Sequence, residues 1–193
     1  MAFNNSDTRY GSWVIGLHWL MLALLVAVYA CMELRGLAPR GSGPRAGLKT
    51  LHFLLGLSVL ALAMIRLAVR WGAGAAPGIE PPVAAWQEKL AHLMHLALYA
   101  FMIATPLLGW LTLSAEGKPI VLFGLPVPSL LGADKLLSEQ LQDVHEALAT
   151  AGYFLIGLHA AAALAHHYIV RDDTLLRMLP WRPSAGERTG SRR

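Results

Sequence analysis

Apolar residues in this chain come in long runs, without the short period of an amphipathic helix or strand. Four runs reach the length of about 20 residues that a helix needs to cross hydrocarbon. They are Ser12–Met32, Leu48–Arg70, Leu90–Leu113 and Val144–Val170, separated by polar or Gly- and Pro-rich segments. The pattern predicts an all-α integral membrane protein, a four-transmembrane-helix up-down bundle. ELRGLAPRGSGPRAGLK joins spans one and two as an external turn. GAGAAPGIEPPVAA joins spans two and three, and its prolines rule out helix. The longest loop, 114–143, has an apolar middle that is too short to span and is broken by Pro126 and Pro128. It is expected to lie at the interface as a lid, with DKLLSEQLQDVHEAL as a helical lead-in to span four. Asn5, Ser6 and Asp7 offer N-caps before span one. The tail 171–193 ends in WRPSAGERTGSRR, a disordered, lipid-facing composition.

Composition agrees with a membrane chain. Of 193 residues 55% are hydrophobic and 15% charged, against about 25% charged in an ordinary soluble domain. Mean hydropathy is +0.48. Four spans leave no room for a separate soluble domain, so residues 1–193 read as one membrane domain. The polar N-terminus and the long first run predict no cleaved leader. VYAC at 28–31 has the outline of a lipoprotein cleavage site, but cleavage there would discard a histidine-bearing helix. Cys31 is the only cysteine, which excludes an intramolecular disulfide and an iron–sulfur cluster. The net charge of +4 records orientation rather than a nucleic-acid partner. Ten Lys and Arg residues fall on the side of the termini (Arg9, Arg66, Arg70, Lys89, Arg171, Arg177, Arg182, Arg188, Arg192, Arg193) and six opposite (Arg35, Arg40, Arg45, Lys49, Lys118, Lys135). Both termini are therefore expected in the cytoplasm. Trp13, Trp71, Trp86, Trp110 and Trp181 fall near span ends, as an aromatic belt would; Trp19 lies deeper.

Four histidines sit inside the apolar runs: His18, His52, His145 and His159. A titratable group at membrane depth is costly and needs a partner or a task. His145 and His159 are 14 residues apart on one helix, a rotation of roughly 1400°, within about 40° of four full turns, and a rise of about 21 Å. Both face the same interior at two depths. The up-down order gives each a level partner: His52 with His145 in an outer pair, His18 with His159 in an inner pair. Two axial imidazoles per level suit a low-spin haem b that transfers electrons and has no open position for oxygen. The rivals are interhelical hydrogen bonds and a zinc or copper site at His159, His166 and His167. A tetrahedral zinc site wants three or four ligands, whereas each level offers two histidines with no acidic or thiol partner at that depth.

Further residues extend the pattern. Arg66 lies 14 residues after His52, level with His159. It fits either pairing with a haem propionate or snorkelling to headgroups. His166, seven residues beyond His159, and His95 near the start of span three suit a quinone site, where reduction needs groups that carry protons. His95 is also a reserve axial ligand, and His92 and His167 are weaker quinone candidates; the plain alternative for all four is contact with headgroups. Arg35, Arg40, Arg45 and Lys49 make the external turn unexpectedly basic. They fit steering of a small anionic donor, anchoring of propionates, or binding of anionic lipid.

Taken together, GLHWL at 16–20, the ELRG…PR turn from Glu33, TLHFLLG, AHLMHLALY and GYFLIGLHAAAALAHHY followed by DDTLLRMLP resemble the bacterial di-haem cytochrome b561 family. The similarity covers nearly the whole chain, strongest in span four and weakest between Lys118 and Gln142. The resemblance implies an inner-membrane bundle holding two b haems on His18, His52, His145 and His159. It also implies electrons passing from external superoxide to ubiquinone, with a quinone-contacting histidine at His166. Related cytochromes b instead serve a hydrogenase or dehydrogenase partner protein, and the basic turn would then be a docking surface. A haem-free scaffold or transporter is the third reading.

Overall fold

A computed structural model describes residues 4–122 and 124–180. Helix α1 is Ser12–Leu37, α2 Gly43–Gly72, α3 Ala85–Ala115 and α4 Lys135–Ala165. All four are long and apolar enough to cross a membrane. α4 continues as a single π turn, His166–Val170, and a 3-10 turn follows at Leu176–Met178. β1 (Ile120–Leu122) and β2 (Leu125–Val127) form an antiparallel hairpin with Ile120 opposite Val127. The expected lid loop is thus a hairpin followed by the first turns of α4. Trp181, Arg182, Arg188, Arg192 and Arg193 lie outside the described residues.

The helices overrun the apolar runs because good capping lies beyond them. Ser42 accepts the Arg45 N–H ahead of α2, with Pro44 in the first turn, where it needs no hydrogen-bond donor. Asp134 accepts the Leu137 N–H at 3.0 Å to start α4. Gln87 turns back to accept the Ala84 N–H at 3.0 Å ahead of α3. α1 departs from expectation. Its N-cap is Gly11 rather than Asn5, Ser6 or Asp7, and the Asn5 carboxamide oxygen accepts the Gly11 N–H at 2.9 Å. The Gly- and Arg-rich turn is also shorter than expected, since only residues 38–42 separate α1 from α2.

α1 packs on α2, α2 on α3 and α3 on α4. Met21, Leu25, Val59, Leu62, Ala63 and Met102 form a buried layer in the middle of the bundle. On α1 its members lie just after His18; on α2 they fall between His52 and Arg66. A closely packed apolar plug therefore separates the two histidine levels. The opposite faces are apolar too. Phe154 is 76% exposed and Ile169 79%, with Val26, Met64, Ile65 and Leu158 alongside. A polypeptide solvated by lipid has this pattern, because hydrocarbon costs such surfaces nothing.

α4 approaches α1 and α3 at Gly152, where an added Cβ would overlap the Phe101 ring and the Tyr29 hydroxyl. Tyr29 donates to the Ala149 carbonyl at 2.6 Å, and its ring meets Tyr153 at 4.3 Å. Gly152→Ala should lower the melting temperature in detergent, by a destabilisation of about 1–3 kcal/mol for overpacking. Gly157→Ala, with open space around its Cβ, should not. Equal melting temperatures for both variants would contradict this packing.

Candidate functional site

His52 on α2 and His145 on α4 face each other with ring centroids 6.1 Å apart. Each is held by a backbone carbonyl: His52 Nδ1 donates to Val28 at 3.2 Å, and His145 Nδ1 donates to Thr105 at 2.9 Å. A carbonyl only accepts, so the proton sits on Nδ1 and the Nε2 lone pair stays free. This is the tautomer a metal-ligating histidine needs, with its other nitrogen already oriented by a partner. Gly109 on α3 makes room for the ring, since a Cβ there would lie 3.2 Å from His145 Cε1. The pair lines a cavity of about 390 Å³ whose walls include Leu25, Phe53, Leu57, Phe101 and Pro106.

His18 on α1 and His159 on α4 form the second level, centroids 6.3 Å apart. His95 on α3 also comes to this level, 5.6 Å from His159, rather than sitting inward of it. A metal–imidazole bond is about 2.0 Å, and the centroid lies about 1.2 Å behind the nitrogen, so two opposed ligands set their centroids about 6.4 Å apart. Both His52/His145 and His18/His159 match that separation; His95/His159 is tighter. Arg66 turns into the bundle rather than out to headgroups, its Nη2 2.8 Å from His18 Nδ1 and its guanidinium 5.7 Å from the Tyr99 ring centroid. Among the described residues no group of three or more His, Cys, Asp or Glu side chains is placed to hold a metal ion. His159, His166 and His167 thus make no zinc-like cluster.

His166 opens the π turn, a feature often found at functional sites. Its Nδ1 lies 2.5 Å from Asp172 Oδ2, and Asp172 is 4% exposed. Burial pushes the Asp172 carboxyl up, but hydrogen bonds from His166 and Thr174 more than offset this and hold it below the usual carboxylate range. The segment after the turn folds back across this end of the bundle. Asp173 exchanges backbone and side-chain bonds with Glu80, and buried Arg177 donates to the carbonyls of Pro77 and Gly78. Trp19, which sequence placed oddly deep, donates its indole N–H to Met178 at 2.8 Å. Neither Asp172 nor this clasp was singled out from sequence. The signal available was the acidic pair directly after a histidine-rich helix end. His92 is exposed and donates to its own helix at Glu88, while His167 stacks edge-on against Tyr168.

The basic turn divides by role. Arg35 and Lys49 line the outer cavity. Arg40 is exposed on the turn. Arg45 is committed to structure, donating to the carbonyls of Arg35 and Ala38 at 2.8 and 3.0 Å at the C-terminus of α1. Glu33, Glu116 and Glu146 also line the cavity. Tyr153 donates to Glu33 at 2.7 Å, and Gln142 donates to Glu146 at 2.8 Å. Glu33 and Glu116 stand at helix ends, outside the apolar runs, whereas Glu146 directly follows His145 on α4.

Paired histidines at two depths of a four-helix membrane bundle define a cytochrome-b-like protein. The profile of the prokaryotic cytochrome b561 family matches residues 9–181. Cytochrome b561 homolog 1 of Escherichia coli (strain K12) is 40% identical over 174 residues, covering 90% of this chain and 98% of that protein. The probable superoxide oxidase CybB of Yersinia pestis is 40% identical over 172 residues, 89% of this chain and 96% of that one. Cytochrome b561 homolog 2 of E. coli is 32% identical over 181 residues, 93% and 95% of the two chains. The chain belongs to the prokaryotic cytochrome b561 family, a family of electron-transfer membrane proteins with b-type haem.

Gly109→Val should push the His145 ring off the Thr105 carbonyl and lower the haem content per purified chain. Full haem content in that variant would show that the outer pair does not hold haem.

Proposed function

We propose that this chain is a di-haem cytochrome b of the bacterial inner membrane, with both termini cytoplasmic. It oxidises superoxide to dioxygen at the periplasmic face and reduces ubiquinone at the cytoplasmic face. The observation that carries the reading is the two opposed histidine pairs, 6.1 and 6.3 Å between centroids, on either side of one apolar layer. The similarity to a probable superoxide oxidase supports the choice of donor. Bound at the two levels, b haems supply one-electron chemistry from one face to the other.

The chain's own groups do the rest. His52 and His145 would hold the outer haem through Nε2, with Nδ1 fixed on Val28 and Thr105. His18 and His159 would hold the inner one. For His18 to offer its Nε2 lone pair to haem iron its proton would have to sit on Nδ1, so Arg66 would have to release that nitrogen; a propionate would be the anion best suited to take the guanidinium. Arg35 and Lys49 meet anions at the outer cavity, whether propionates or superoxide. With Arg45 bonded to α1, and with Glu33, Glu116 and Glu146 nearby, the positive field there is narrower than the four basic residues suggest. His166 faces ubiquinone. Each ubiquinone takes two electrons from two superoxide ions and two protons from the cytoplasmic side.

Purified protein supplied with a superoxide source and a soluble ubiquinone should form ubiquinol with no other protein present. Arg35→Gln should lower the rate several-fold at low ionic strength and flatten its salt dependence. A haem-loaded protein that superoxide leaves oxidised would contradict the reading and favour an electron-transfer subunit serving a hydrogenase or dehydrogenase.

A further inference from the structure

The His166–Asp172 pair lies seven residues beyond the inner ligand and in no part of the haem cage described above. Three observations set it apart from an ordinary interfacial contact. The carboxylate side chain is fully buried, while the imidazole is 23% exposed. Asp172 has no freedom to leave: Oδ1 accepts the Thr174 N–H at 2.9 Å, and its own N–H donates to the His166 carbonyl at 3.2 Å. The chain reaches this position only by widening the helix into a π turn and closing it with Arg171 in the left-handed region, φ 63°. Arg171 is not glycine, so that conformation is strained and needs support from its surroundings. The local backbone is built around this one hydrogen-bond geometry.

A buried carboxylate on Nδ1 does three things to an imidazole. It fixes the tautomer with Nε2 outward, it fixes the ring plane, and it stabilises the imidazolium without itself taking the proton. The charged groups packed around the pair are already engaged. Asp173 and Arg177 pair at 3.3 Å, and the Glu80 backbone is held by Asp173. Arg171 is exposed.

We infer that Asp172 is a positioning residue that makes His166 the proton donor for quinone reduction, an inference that rests on the quinone reading above. The His166 imidazolium gives its Nε2 proton to a quinone oxygen as electrons arrive from the inner level. The neutral ring is then reprotonated from the aqueous phase on that side. Two such transfers accompany the two electrons, and Asp172 stays ionised throughout.

The test uses the haem-loaded full chain and follows quinol-driven haem reduction and its reverse, haem oxidation by quinone. Neither requires superoxide. Asp172→Asn should slow both by about 10–100-fold, the usual cost of losing an orienting partner. The half-saturating quinone concentration should change little, and haem content and melting temperature should stay as in wild type. Asp172→Glu should recover part of the rate. His166→Gln and the double variant should be as slow as Asp172→Asn, because the two residues act as one unit. A wild-type rate in Asp172→Asn, or additive losses in the double variant, overturns the inference and leaves the quinone reading standing. A wild-type protein whose haem does not exchange electrons with quinone overturns both. If Asp172→Asn fails to fold, Asp172→Glu carries the test. Its rate must then be lowered while its affinity for quinone is retained, and a rate equal to wild type overturns the inference.

Discussion

A histidine in hydrocarbon must have its polar nitrogens satisfied, and this requirement organises the bundle. At the outer level the solution is a carbonyl from a neighbouring helix: Val28 of α1 for His52, Thr105 of α3 for His145. Each bond joins two helices, so α1–α2 and α3–α4 are tied at that depth by the rings themselves. Only one nitrogen of each ring is satisfied in this way. The two ring centroids stand 6.1 Å apart. At the inner level Arg66 occupies the equivalent nitrogen of His18. The guanidinium is thus placed beside the ring pair, ready for an anionic group.

Between the levels lies the Met21, Leu25, Val59, Leu62, Ala63 and Met102 layer. It keeps water out of the bundle centre and gives the two sites independent surroundings. At the outer end cations and carboxylates share one cavity wall. At the other end the chain folds back over itself through Arg177, Trp19 and Asp172. The two faces of the protein are therefore chemically unlike.

Much of this was legible in sequence. Run length alone gave four spans, and the 14-residue spacing of His145 and His159 put both rings on one face. Up-down order then supplied His52 and His18. Other features depended on interactions that no local pattern carries. Helix ends shifted outward because Ser42, Asp134 and Gln87 cap beyond the apolar runs. Arg45 looked like part of a free basic rim, yet the short 38–42 turn brings it onto the α1 carbonyls. His95 looked interfacial, but α3 carries it to the level of His159. Asp172 follows a helix end whose π turn has no sequence signature, and its neighbours Asp173 and Arg177 bond to a linker nearly a hundred residues away.

The most direct check on the central claim is the electron paramagnetic resonance spectrum of the oxidised, purified protein. Bis-histidine ligation at both levels predicts two low-spin ferric signals that integrate to two spins per chain, with no high-spin component. One low-spin signal, or a high-spin signal from a five-coordinate iron at either level, would contradict the account.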